Sequence, residues 1–122
     1  MKNVFIIALL FIVMCSPSNN KTVQTIQTME QDLMLIVHSH QVNLSSNQHD
    51  YISSHAKEFN RLVSSKELGL SYLLKQFESK EQNSLKEYIM ATVCVEILGN
   101  ENKGKEWSTG REWYMDYKKT TT

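Results

Sequence analysis

The sequence predicts an all-α fold, with about five helices packed as antiparallel pairs behind an N-terminal export segment. Three observations carry this expectation. After residue 22, apolar side chains recur at three- and four-residue steps, the period of one helix face. The 122 residues include a single proline, Pro17, and only four glycines, so little interrupts helix formation. Strand-like alternation occurs nowhere, and no internal repeat is regular enough to define a unit. A chain of this length has room for one small domain.

Residues 1–15, MKNVFIIALLFIVMC, have the layout of a secretory signal. One lysine precedes an unbroken apolar run from Val4 to Met14, and small polar residues follow. The run is shorter than the roughly 20 residues that span a bilayer comfortably. Ile12-Val13-Met14-Cys15 resembles a bacterial lipobox, which would make Cys15 the lipidated first mature residue. Met14 stands where such signals usually carry a small residue, so cleavage near Ser16 to Ser18 and an uncleaved anchor remain open. Each outcome places the domain outside the cytoplasm, anchored at the membrane or secreted. Residues 16–22, SPSNNKT, read as a polar tether, and 23–119 as the helical domain.

Val23 to His40 carries Ile26, Met29, Leu33, Ile36 and Val37 on one helical face. Gln41 to Asp50, rich in Asn and Ser, reads as a loop, with Asp50 capping a helix that places Ile52, His55, Ala56, Phe59, Leu62 and Val63 on one face. Ser64 with Glu67 spells a capping box ahead of Leu70, Leu73, Leu74 and Phe77, in a helix that ends near Ser79. Lys80 to Gln82 is short enough to fold the next helix back on it. That next helix, Asn83 to Gly99, is the expected centre of the fold. It is apolar nearly all round, which is the pattern of a helix buried by its neighbours. Ser84 with Glu87 reads as its capping box, and Gly99 as its stop. After a polar turn, Thr109 and Glu112 cap a last short helix bearing Trp113, Tyr114 and Tyr117.

The runs YISSHAKEFNRLVSS, GLSYLLKQFE, LKEYIMATVCVEILG and KEWSTGREWYMDYKK resemble small extracytoplasmic proteins of Gram-positive bacteria. Their helix pairs are similar to HEAT or armadillo repeats and end in a Trp-rich cap. The resemblance covers roughly residues 50–119 and implies a HEAT-like helical bundle and an envelope address. It brings no activity with it.

Thirteen basic and thirteen acidic residues leave no net charge and no basic face for nucleic acid. Two cysteines make no disulfide framework. His38, His40, His49 and His55 crowd one stretch, yet their spacing fits no zinc pattern; neither a metal nor a cofactor is expected. A metal-binding or hydrolytic alternative would use His49, Asp50 and His55. Cys94, between Val93 and Val95, reads as a small core hydrophobe rather than a nucleophile. Glu96, on the apolar helix, must be paired, protonated or near an edge, with Arg111 and Lys86 as possible partners. The serines show no nucleophile elbow. Trp107, Trp113, Tyr114 and Tyr117 form an aromatic end that is either a core cap or a binding surface, with Trp113 assigned to the core and Trp107 to the more exposed role. The expected function is therefore non-enzymatic: binding of an envelope protein or peptide by a membrane-anchored domain. An immunity-type inhibitor of a secreted toxin is one form this could take.

Overall fold

A computed structural model describes residues 21–39, 47–99 and 106–121 of the chain. The export segment and Cys15 lie outside the described residues. The described chain is helical, with six helical segments and no strand among the described residues. They are α1 (21–37), α2 (Gln48–Ser54), α3 (Ala56–Ser64), α4 (Lys66–Ser79), α5 (Ser84–Leu98) and α6 (Gly110–Thr121). No helix among the described residues is long and apolar enough to cross a membrane.

Helix α5 is central, as its composition suggests: α2, α3, α4 and α6 all pack on it. Ile89, Met90, Ala91, Val93 and Cys94 are buried along its middle. Met29, Leu33 and Ile36 of α1, Leu62 of α3, and Leu73 and Phe77 of α4 join the same core. Trp113 and Tyr114 of α6 complete it. Burial around most of this middle stretch replaces the narrow amphipathic stripe of a surface helix, while Thr92, Val95 and the C-terminal turn stay partly or fully open to solvent.

Several boundaries differ from the sequence reading, each for a local reason. Helix α1 is already formed at Lys21 and Thr22, and it gives way to a turn at His38. The expected single helix from Asp50 to Val63 is broken at His55 (φ −128°, ψ 46°) into α2 and α3. Ser53, Ser54 and His55 form a run of residues with modest helix preference, which lowers the cost of leaving the helix there. The extra segment raises the expected five helices to six. Asn47, not Asp50, caps α2, its side-chain oxygen accepting the His49 N–H at 3.0 Å. Asp50 falls in the first turn, where a carboxylate suits the helix dipole.

The capping box read at Ser64 does not form. Ser64 lies inside α3 and donates its hydroxyl to the Asn60 carbonyl, while Ser65 stands at the start of α4 with its hydroxyl donated back to the Leu62 carbonyl rather than capping that helix. The chain turns through Lys66 in a left-handed conformation (φ 53°). At α5 the cap is Asn83 rather than Ser84, accepting the N–H groups of Leu85 and Lys86. Gly99 ends α5 with φ 64°, a conformation that costs glycine little. The last box forms nearly as expected. Thr109 Oγ1 accepts the Glu112 N–H at 3.0 Å, and the Glu112 carboxylate reaches back to the Ser108 N–H at 3.0 Å.

Candidate functional site

Two buried carboxylates, Glu87 and Asp32, anchor hydrogen-bonded nodes of the interior, whereas among the described residues the buried Ser39 Oγ and Trp113 Nε1 have no partner. Glu87, 5% exposed, sits at the joint of α4, α5 and α6. Its carboxylate accepts the Gln82 N–H and pairs with Arg111. Arg111 also donates to the carbonyls of Phe77 and Lys80, and its guanidinium lies 5.4 Å from the Phe77 ring centre and 5.5 Å from that of Tyr114. Charge, hydrogen bonds and ring faces are all used within the domain, so this node holds α6 in place. The expected partnership of Arg111 or Lys86 with Glu96 is not what forms. Glu96 is exposed near the edge of α5, where water solvates it, and Lys86 donates to Gln82.

A second node ties α1 to the bundle. Arg61 donates two 2.8 Å hydrogen bonds to the buried carboxylate of Asp32. That hydrogen-bonded pairing, and the charge behind it, raise the Arg61 pKa above its ordinary value. Nearby, the Tyr72 hydroxyl donates to Glu30, and burial first, then Glu30, push its pKa up. Arg61 and Asp32 line a cleft of about 450 Å³ between α1 and α3, with Lys21 and several hydroxyl-bearing residues. Because Asp32 already neutralises Arg61, that cleft presents no concentrated charge from this pair.

The aromatic end splits into two groups. Trp113 is 3% exposed, and Tyr114 is buried beside it. Tyr114 stacks on Phe77 at 4.8 Å and Tyr117 on Trp113 at 5.2 Å, and all four candidate rings belong to or flank the core. Trp107 differs in having Tyr88 rather than Phe77 or Trp113 as its ring neighbour. Its half-buried ring lies 5.1 Å from Tyr88, inclined at 48°, and His49 meets the other side of this cluster edge-on, 6.2 Å from Tyr88. Tyr88, Glu106, Trp107 and Ser108 line an open cleft of about 430 Å³. The volume falls within the usual range of small ligand sites. Neither Tyr88 nor Glu106 is singled out by the sequence, because Tyr88 is one apolar position among many on α5.

The remaining candidates do not converge. His49 is engaged with Tyr88, and His55, at the break between α2 and α3, faces Glu58 in the first turn of α3 at 3.6 Å. Among the described residues, no group of three His, Cys, Asp or Glu side chains is gathered as a metal would need. Cys94 is fully buried, and burial pushes its thiol up to about 12. A thiol so far above neutral pH is poorly prepared as a nucleophile.

No protein-family model, curated protein or solved structure matches the chain. The likeness to HEAT-type envelope proteins therefore rests on the sequence runs that carry it.

Proposed function

We propose that this chain is a non-enzymatic, extracytoplasmic helical protein, held at the membrane through a lipid on Cys15 or an N-terminal signal anchor, that binds another protein or a peptide. The observation that carries the binding half is the Trp107–Tyr88 cleft. A tryptophan left half-exposed over a second ring supplies contact area with little entropy to lose, which is why such residues concentrate the energy of interfaces. The export half rests on the charged start, the apolar run and Cys15. The resemblance to HEAT-like envelope proteins supports the export half alone.

Cross-linking in intact envelopes, followed by purification of the full-length chain, tests this reading. A discrete partner retained by wild type and lost in Trp107→Ala supports it. Fractionation of the protein wholly into the cytoplasm would overturn it.

A further inference from the structure

We infer that the Trp107–Tyr88 cleft receives an arginine side chain of the bound protein or peptide. This rests on the binding reading above and adds the chemistry of the contact. Two electron-rich rings inclined at 48° form a wedge, and Glu106 places a carboxylate on the same cleft. A second carboxylate, Glu112, accepts the N–H of Ser108, one of the lining residues. Among the described residues, the lining therefore contributes negative charge and aromatic faces but no cation.

The domain itself shows what such a set of groups accommodates. Within the bundle, the guanidinium of Arg111 lies over Phe77 and Tyr114 and pairs with Glu87. The cleft repeats the two rings and the carboxylate, with Trp107 offering the strongest type of ring for a cation. Guanidinium suits this wedge better than ammonium, because it is planar, weakly hydrated and able to stack while donating to a carboxylate. A nucleic acid or an anionic ligand would meet Glu106 and Glu112 with like charge.

The test uses the full-length protein in a non-ionic detergent, carrying Trp113→Phe so that fluorescence reports Trp107 alone. N-acetyl-arginine amide is titrated at low salt against N-acetyl-citrulline amide, which keeps the shape and lacks the charge. The expected result is a saturable change with arginine, weaker by about tenfold with citrulline and in Glu106→Gln. If Trp113→Phe fails to fold, the two indole N–H resonances of wild-type protein give the same readout. Equal responses to both amides, no saturable response, or an unchanged response in Glu106→Gln overturns the inference. A flat titration alongside a Trp107-dependent envelope partner removes the arginine and leaves the binding reading standing. An arginine response without any such partner does the reverse.

Discussion

Replacing Gly110 by alanine sets two physical effects against each other. Gly110 opens α6, and helix preference alone would favour alanine there by up to about 1 kcal/mol. Position decides otherwise. A Cβ built on Gly110 would lie 2.0 Å from the Glu87 carbonyl oxygen, 2.2 Å from its carbon and 2.7 Å from the Tyr88 nitrogen. All three are backbone atoms of α5, so no side chain can swing aside; the two helices must separate by more than an ångström. That movement would also disturb the Arg111–Glu87 pair and the seating of Trp113. Overpacking a close contact typically costs about 1–3 kcal/mol, and a backbone clash belongs at the upper end. After the helix-preference gain, a net loss of about 2 kcal/mol is expected. In a domain of this size each kcal/mol lowers Tm by about 4–8 °C, so thermal unfolding should fall by roughly 10 °C. Circular dichroism at 222 nm measures it directly. A Tm that is unchanged or raised in Gly110→Ala would refute the close α5–α6 approach.

Other substitutions probe the core and the address. Trp113→Ala should cost about 3–5 kcal/mol in chemical denaturation. Trp113→Phe should cost distinctly less, because among the described residues the buried Nε1 has no hydrogen-bond partner to lose. Cys94→Ala should cost about 1 kcal/mol through a small cavity, whereas Cys94→Asp should be far worse because it buries an unpaired charge. Thiol reagents should label Cys94 only after unfolding. The folded thiol titrates near 12 rather than at the ordinary 9.0, so its stabilising contribution is complete below pH 9 and is lost as pH rises toward 12. The stability gap between wild type and Cys94→Ala should therefore shift against wild type across that alkaline window, which denaturant midpoints at several pH values would register. Cys15→Ser should release or misprocess the protein without changing its melting, as fractionation and mass spectrometry would show.

The sequence made the all-helical class, the central position of α5, the end of α4 near Ser79 and the cap at Thr109 legible, because each depends on local periodicity or on residues three or four apart. It misplaced what depends on distant chain. Glu87 looked like a capping residue, yet its burial is set by Arg111 across 24 positions. For Glu96 the sequence leaves pairing, protonation and an edge position open, and the fold supplies the edge, since Val95, Ile97 and Leu98 are only partly covered there. Gly110 gave no local signal at all, since its role comes from the backbone of α5. The likeness among Trp107, Trp113, Tyr114 and Tyr117 concealed a division that only packing reveals. Trp113 has Phe77 and Tyr117 around it, whereas Trp107 meets Tyr88 at the mouth of a cleft.

The binding claim is tested most directly by placing a photoreactive benzoylphenylalanine at position 107 of the full-length protein in intact cells. An aromatic group is retained there, and illumination captures whatever occupies the cleft. The account expects a discrete adduct from position 107, and none from the same probe at Met115, which is exposed on α6. No adduct at position 107, or an identical pattern from both positions, would contradict it.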